Sequence, residues 1–415
     1  MTQNAFIQQI KMLKNNNDKS NTPFSHSNLK KKPENLMLST MLFRKHNIIL
    51  TKDIFNEKNF ALDNLLRGKS PLFILSEKIW KLYGKKISVF LKNRKNIFDS
   101  QLYVTKSGEE NKNLQTVISI CEHANNIELK RDHPIVAVGG GTCLDICGLV
   151  AALFRRGVPH IKIPTTFVGL IDAGIATKNG INLGKKKNLL GTFYPPEASI
   201  IDSTFLATLP LRYINCGIAE SLKMGLIADG KLFKLWLDFG VKLQSSCLQQ
   251  PENINDEIIR RSIVSMLEEL SDNLYEHNTY KRAVDFGHSF SQYIEQSSNY
   301  QVLHGEAVAI DMAISCQISY LKGLIDQQTL EEILNLFTTL KLPIFDPVLN
   351  LEHLWASLSS IIAHRGGNLN LVIPCKIGSC VFVENLIDLD KSCLSEALNR
   401  LEICYNENRC YSMDS

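Results

Sequence analysis

The chain has 415 residues, 44% hydrophobic and 21% charged, which are ordinary values for a globular protein of two domains. A formal net charge of +4, spread along the chain, is too small to indicate a nucleic-acid partner. No run approaches the roughly 18 apolar residues of a membrane span. With no visible secretory signal and 11 irregularly spaced cysteines, the sequence predicts a cytoplasmic protein with reduced thiols.

The first half of the chain alternates strand-like and helical patterns. Residues 1–36 are polar and rich in Asn and Lys, and we expect a disordered extension or a surface arm there. Within residues 37–208, short apolar runs such as PLFIL (71–75), PIVAV (134–138) and ASIID (198–202) are separated by helical segments. This alternation predicts a parallel sheet with helices on its faces.

Helical periodicity dominates residues 209–415. Apolar residues recur near every 3.6 positions in four segments, namely 212–229, 256–273, 304–322 and 328–339. Strand-like runs are few in this half. The predicted fold is therefore α/β plus α, with a Rossmann-like parallel-sheet domain followed by a mainly helical domain.

A run of three glycines, residues 139–141, follows the strand-like run that ends at Val138. Without side chains, this backbone can approach a diphosphate closely, and the helix that follows offers free N–H groups. The pattern fits a dinucleotide site, and a plain tight turn is the alternative. Asp145, one turn into the helix, needs a partner if it is buried. Cys143 and Cys147 are interpreted as small buried residues rather than as a metal or redox pair.

Two further polar segments flank the glycine run. In GEENK, Glu109 and Lys112 can either meet ribose hydroxyls or simply solvate a helix start. Residues 164–196 read as a long polar connection, punctuated by glycines, at the carboxyl end of a strand, where ligands of open α/β folds bind. The side chains there that suit a phosphate and several hydroxyls are Asp172, Lys178, Lys187 and Asn188. A solvated charged loop is the alternative.

A carboxylate and two histidines in the second half of the chain are candidate metal ligands. Glu220 lies in a predicted helix, and His288 and His304 each stand beside a glycine at an expected helix N-terminus. Two histidines and one carboxylate are typical of catalytic Zn²⁺, although spacing alone does not select these three. Lys223 follows Glu220 by three residues on the same helical face, as an ion-pair partner or a substrate group.

Taken in order, these segments resemble the sugar phosphate cyclases, the superfamily of dehydroquinate synthase. The resemblance runs from about residue 51 to about residue 374. It rests on eight ordered motifs: GGGTCLDICG, RRGVPHIKIPTT, DAGIATKNGIN, GKKKNLLGTFYPP, DSTFLATLP, GIAESLK, DFGHSF and LHGEAVAIDM. The implied fold is the dehydroquinate synthase-like one, and the implied enzyme depends on NAD and a metal.

The resemblance also implies roles for particular residues. It makes Glu220, His288 and His304 the ligands of Zn²⁺ or Co²⁺. The NAD contacts that it implies are Glu109, Lys112, Gly140, Gly141, Asp145, Thr165, Thr166, Asp172, Lys178, Lys187, Phe205, Thr208 and Leu209. The catalytic and substrate residues that it implies are Lys178, Lys223, Asp172, Asp285, Asn188, Lys187, Leu270, Arg282, His364 and Arg156. In this family the arginine that matches Arg156 reaches the partner subunit's site, which implies a homodimer.

Some positions distinguish the substrates within the superfamily. Dehydroquinate synthases carry a histidine four residues after the metal histidine, where this chain has Gln292, and an asparagine where it has Asp285. Leu270, Asp285 and His364 together resemble the 2-epi-5-epi-valiolone synthases. Ser76 and Lys186 depart from the pattern of that group.

The resemblance implies a lyase that cyclises sedoheptulose 7-phosphate, through transient oxidation by NAD, phosphate elimination, reduction and aldol closure. An epimeric valiolone product stays open. The alternatives are a 3-dehydroquinate synthase, a net oxidoreductase related to metal-dependent alcohol dehydrogenases, and a silent ligand-binding homologue. The expected partners are a small sugar phosphate and a second copy of the chain, without nucleic acid or membrane.

Overall fold

The first half of the chain folds around a sheet of parallel strands. The computed structural model of the protein describes residues 45–184, 186–271, 273, 275, 279–364 and 366–413. The extension expected at residues 1–36 therefore lies outside the described residues. The strands of this half are β1 (Asn47–Thr51), β2 (Leu72–Ser76), β3 (Gln101–Thr105), β4 (Ile135–Gly139), β5 (His160–Pro164), β6 (Lys178–Leu183), β7 (Lys186–Phe193) and β8 (Ala198–Asp202).

Six of these strands pair in the order β1-β8-β5-β4-β2-β3, and every neighbouring pair is parallel. The helices of this half are α1 (Ala61–Leu66), α2 (Glu77–Asn93), α3 (Leu114–Asn126) and α4 (Gly141–Leu153). The four strands β2, β4, β5 and β8 are buried along their whole length. Burial on both faces explains why these strands are nearly continuous apolar runs rather than alternating ones.

The second half is mainly helical, as its periodicity predicts. Its helices are α5 (Leu211–Ile227), α6 (Gly230–Ser245), α7 (Glu252–Ser271), α8 (Ser291–Ser297), α9 (His304–Leu321), α10 (Gln327–Thr339), α11 (Leu351–His364), α12 (Leu386–Leu389) and α13 (Lys391–Met413). Two antiparallel strands, β9 (Leu371–Lys376) and β10 (Ser379–Val383), complete it. The α/β plus α fold class is confirmed. The boundary between residues 208 and 209 stays a prediction.

Helices α5 and α9 are buried on nearly every side, because apolar and small residues occupy most of their positions. They pack against each other within the largest apolar core, which also contains Trp236 and Phe286. Two other cores lie beside the parallel sheet. A pair of fully embedded helices is a rigid support for side chains that must meet across the pair.

The polar segment 164–196 is not the open connection that its composition suggests. After β5 it forms a π-helical turn, Gly169–Ala173, and then the antiparallel hairpin of β6 and β7. A Cβ atom at Gly191 would lie 2.3 Å from the carbonyl oxygen of Asn179, so this glycine allows the two strands to approach. The interpretation as a loop was wrong because glycines that permit close strand pairing look like loop glycines in a sequence.

Within the described part of the chain, no helix combines the length and the apolar character that crossing a bilayer requires.

Candidate active site

Three side chains that are distant in the sequence converge between α5 and α9. Glu220 lies in the middle of α5, His304 is the first residue of α9, and His288 precedes α8 by three residues. The Nε2 atoms of His304 and His288 lie 3.1 Å and 3.7 Å from Oε1 of Glu220. One ligand atom from each residue falls within 4.8 Å of the other two. His304 thus begins a helix as predicted, whereas His288 stands in a turn.

Hydrogen bonds at the far side of each imidazole fix which nitrogen faces the centre. Nδ1 of His288 lies 2.9 Å from the carbonyl oxygen of Phe286, and Nδ1 of His304 lies 2.9 Å from Oε1 of Glu295. Both oxygens are acceptors, so each Nδ1 carries a proton and each Nε2 is the nitrogen that faces Glu220. This arrangement is the usual outer support of metal-binding histidines.

The carboxylate of Glu220 is 1% exposed and has no hydrogen bond of good geometry among the described residues. Nζ of Lys223 does lie 2.8 Å from Oε2, as a charge contact. The side chains of His288 and His304 keep 28% and 43% of their surface accessible to solvent, and the open space beside them forms the active-site cleft. A buried carboxylate and two accessible imidazoles that point at one spot fit Zn²⁺ with an open position for a ligand.

The charges of the centre are strongly interdependent. Burial opposes ionisation of Glu220, but Lys223 and the histidines hold its pKa well below the ordinary value. Burial and the nearby Lys223 lower the pKa of His288 to about 4. For His304, burial acts against the proton, yet the charge contact with Glu220 and the hydrogen bond to Glu295 raise its pKa to about 10. A cation at this point would replace that proton.

Asp172 faces the same centre from the π-helical turn after β5. Burial raises the pKa of Asp172, against the attraction of Lys223 and together with the repulsion of Glu220. Lys178, at the start of β6, is exposed and is a further nearby positive charge. Lys187, on β7, donates to Glu295 and stacks its Nζ atom 4.4 Å from the centre of the Tyr300 ring. The hairpin thus brings predicted phosphate ligands to the edge of the histidine pair.

A second polar cluster lies at the N-terminus of α4. Nζ of Lys112 is 2.6 Å from Oδ2 of Asp145 and 2.6 Å from Oδ1 of Asn188. Nδ2 of Asn182 donates to Glu109 over 2.8 Å. The partner required by a buried Asp145 is therefore Lys112, and the structure joins the GEENK segment, the glycine turn and the hairpin.

The glycine turn itself follows β4 directly. Gly140 is the N-cap of α4 and Gly141 its first residue, so the helix begins at the last glycine of the run rather than just after it. A Cβ atom on Gly140 would lie 3.0 Å from Cγ2 of Thr166, whereas one on Gly141 would meet only Ala173, at 3.7 Å. The amide of Thr165 donates to the carbonyl of Gly139 over 3.0 Å. These residues form a narrow backbone surface of the kind that accepts a diphosphate.

Three predicted cofactor residues follow β8. Phe205 is buried in the core beside the sheet, with its ring 5.2 Å from that of Tyr83. Oγ1 of Thr208 lies 2.7 Å from the Tyr83 hydroxyl oxygen, and Leu209 is half-buried. Phe205 and Thr208 thus contact the sheet half and Leu209 packs against the helical core, so their role towards NAD stays a prediction.

The predicted substrate residues separate into distinct environments. Nε and Nη2 of Arg282 both donate to the carboxylate of Asp285, and the shortest contact, from Nη2 to Oδ1, is 2.6 Å. Leu270 is half-buried against the helical core. Arg156 is exposed in the turn after α4. His364 ends α11, and its side chain lies outside the described part of the chain.

The fold and the site define the class of the protein: the chain belongs to the 3-dehydroquinate synthase family and is an enzyme of the sugar phosphate cyclase type. The N-terminal family model, "3-dehydroquinate synthase N-terminal", matches residues 102–216. Its C-terminal counterpart matches residues 217–360. The resemblance seen in the ordered motifs is thereby confirmed.

Two individual relatives and one solved structure show what the chain is similar to within this family. The chain is 37% identical over 350 residues to a 2-epi-5-epi-valiolone synthase of Streptomyces hygroscopicus subsp. jinggangensis, covering 82% of this chain and 84% of the relative. It is 35% identical over 326 residues to a 3-dehydroquinate synthase of Prochlorococcus marinus, covering 78% and 88%. The solved structure of ValA, the 2-epi-5-epi-valiolone synthase of S. hygroscopicus with NAD⁺ and Zn²⁺ bound, superposes with a TM-score of 0.83 at 34% identity, covering 88% and 99%.

Two residues of the site, Glu295 and Lys162, were not identified from the sequence. Glu295 supports His304 although nothing in the local pattern marks it, because the contact joins two separate helices. Lys162, on β5, is fully buried and donates to the carbonyls of Ala173 and Ala176, which both follow Asp172 in the chain, over 3.0 Å each. A lysine inside the apolar run IKI was a visible signal for the second.

Proposed function

We propose that this enzyme cyclises sedoheptulose 7-phosphate to 2-epi-5-epi-valiolone, or to an epimer, with release of phosphate. The observation that carries the proposal is the convergence of Glu220, His288 and His304 beside Asp172 and the cationic hairpin. The valiolone synthase relatives and the bound groups of ValA point to the same chemistry. The reaction class is a carbon–oxygen lyase.

Zn²⁺ or Co²⁺ would be held by Glu220 and by Nε2 of the two histidines. When bound, the ion supplies Lewis acidity that makes a substrate hydroxyl easier to deprotonate. Lys223, 2.8 Å from Glu220, keeps that carboxylate ionised and adds positive charge where an alkoxide forms. Asp172, with its raised pKa, is suited to hold or accept a proton at the same point.

NAD would lie on the glycine turn, with its diphosphate at the N-terminus of α4. Glu109 and Lys112 would meet the adenosine ribose, and Asp145 would keep Lys112 in place through their 2.6 Å contact. The cofactor supplies transient hydride acceptance and returns the hydride, so no net NADH results. Thr165 and Thr166, which directly follow β5, would contact the cofactor from its other side.

The sugar phosphate would lie between the hairpin and the helical half. Lys178 and Lys187 bring two cations from the hairpin, which suits a phosphate dianion. Asn188, whose Oδ1 lies 2.6 Å from Nζ of Lys112, would add its amide. At the other end, Asp285 offers carboxylate oxygens to hydroxyl groups. Arg282 already pairs with this carboxylate, so its charge is partly compensated and repels an acidic substrate less than a free carboxylate would.

A homodimer is part of the proposal. Arg156 is exposed, and it and Arg155 both adopt positive φ angles, 62° and 50°, in the turn after α4. The exposed guanidinium of Arg156 is available to the active site of a second copy, which is the role that the resemblance implies.

The test is turnover with defined substrates. Purified protein with NAD and Zn²⁺ should release phosphate from sedoheptulose 7-phosphate without accumulating NADH, and NMR of the product identifies the epimer. Glu220→Gln should abolish release, whereas Glu331→Gln, an exposed glutamate on α10, should not. Phosphate release that survives in Glu220→Gln would refute the metal assignment.

The second candidate function is 3-dehydroquinate synthesis, which the Prochlorococcus relative and the Arg282 pairing favour. The substrate of that reaction is also a sugar phosphate, but an acidic one, a heptulosonate phosphate. Side-by-side kcat/KM values for the two phosphates decide between them. A preference for the acidic substrate would overturn the proposed one.

A further inference from the structure

The carboxylate of Glu295 uses both of its oxygens at the edge of the active site. Oε1 accepts from Nδ1 of His304 over 2.9 Å, and Oε2 accepts from Nζ of Lys187. The side chain is 8% exposed, so it is withdrawn from solvent and held by these two contacts. One carboxylate therefore joins a candidate metal ligand to a candidate phosphate ligand.

The three residues come from separate elements of the fold. Lys187 lies on β7 of the hairpin, Glu295 on α8, and His304 at the start of α9. Tyr300, between α8 and α9, lies beneath the ammonium of Lys187 at 4.4 Å. The hairpin belongs to the first half of the chain and the helices to the second. Glu295 consequently ties the two halves together at the place where the substrate would bind.

The chemistry of each contact assigns it a separate task. An acceptor at Nδ1 keeps the His304 proton on that nitrogen and leaves Nε2 free for a cation. The negative charge at Oε2 stops Lys187 from swinging into solvent, which a flexible four-carbon side chain otherwise does. A neutral side chain of the same shape can do the first task but not the second.

We propose that Glu295 is a positioning residue that orients His304 with one oxygen and holds Lys187 over the cleft with the other. The proposal rests on the proposed function in taking Glu220, His288 and His304 as metal ligands and Lys187 as a contact of the substrate phosphate. It assigns no contact between Glu295 and the substrate.

Three variants separate the two tasks. Glu295→Ala removes both, Glu295→Gln keeps a carbonyl oxygen for His304 but presents an amide that cannot accept from Lys187, and Lys187→Met removes only the ammonium. The first measurement is the Zn²⁺ dissociation constant of the metal-free protein, by competition with a chromophoric chelator. We expect a rise of about 10- to 100-fold in Glu295→Ala and less than about threefold in the other two variants.

The second measurement separates KM from kcat for sedoheptulose 7-phosphate. KM should rise in both Glu295→Gln and Lys187→Met. The double variant should be no worse than Lys187→Met alone, because the two changes disrupt one interaction. Singles whose effects on KM multiply in the double variant would overturn the link to Lys187.

Asp63→Ala is the matched control for folding. Asp63 is also a buried carboxylate held by a cation, with Oδ1 2.9 Å from Nε of Arg94, but it lies in the sheet half away from the cleft. It should lower the melting temperature while leaving the Zn²⁺ dissociation constant unchanged. Unchanged zinc affinity in Glu295→Ala would overturn the orienting role.

Failures of the two proposals are distinguishable. A wild-type protein that binds zinc but leaves sedoheptulose 7-phosphate intact refutes the proposed substrate, and the zinc comparison among the variants still decides the role of Glu295 towards His304. A wild-type protein that binds no zinc refutes both proposals.

Discussion

Gly305 controls how closely the two buried helices of the active site approach. It follows His304 at the start of α9 and faces α5. A Cβ atom at this position would lie 2.3 Å from Cα of Cys216 and 2.5 Å from its carbonyl oxygen. Both obstructing atoms belong to the backbone and cannot rotate away. The change Gly305→Ala therefore forces the helices apart.

The size of the displacement follows from the contact. Ordinary carbon–carbon contacts begin near 3.5 Å, so the helices must separate by about 1 Å. Overpacking of this kind costs about 1–3 kcal/mol of stability. The same shift moves His304 away from Glu220, whose facing atoms are now 3.1 Å apart. A misplacement of that size lowers kcat by about 100-fold in an active site.

The assay compares Gly305→Ala with Gly230→Ala. A Cβ atom at Gly230, the first residue of α6, would find its nearest neighbour at 3.4 Å, an ordinary contact. Thermal melting, Zn²⁺ affinity and kcat are measured for both. The control should resemble wild type in all three. If Gly305→Ala kept wild-type zinc affinity and kcat, the reasoning from helix spacing would be wrong.

Three further predictions concern residues around the site. Burial and Lys162 lower the pKa of His46 from 6.5 to about 4, so between these pH values the unfolded chain binds a proton that the folded chain does not. About 3 kcal/mol of the free energy of unfolding is therefore lost as pH falls from 6.5 to 4. The melting temperature of His46→Gln should depend less on pH across that window, and an unchanged pH dependence would contradict this. Lys162→Met should lower kcat, because it removes the support of the Asp172 turn. Its melting temperature should change little, because the removal of a buried charge offsets the lost support. Trp236→Phe should cost about 1–3 kcal/mol in urea unfolding, because the buried hydroxyl of Ser221 loses the indole N–H that now lies 2.8 Å away and keeps only its 2.7 Å contact with the Ser262 hydroxyl; an unaltered midpoint would show that the contact with Ser262 is enough.

Much of the site was visible in the sequence because its signals are local. The strand before the glycine run, the turn itself and the start of α4 lie within about ten residues, so apolar runs and glycine spacing predict them together. The parallel sheet was predictable for the same reason, since its central strands are buried on both faces. The metal ligands were different, because their spacing along the chain carries no geometric information. It was the resemblance to a family that selected Glu220, His288 and His304.

The sequence by itself determined the class of fold, the glycine turn and the kinds of side chain available for chemistry, because these depend on periodicity and residue type over short stretches. Only the tertiary structure decided which side chains meet. It turned a polar segment into a hairpin, paired Lys112 with Asp145, and placed Glu295 between Lys187 and His304. Contacts of that kind depend on how whole helices and strands pack against one another, a property that no local pattern contains.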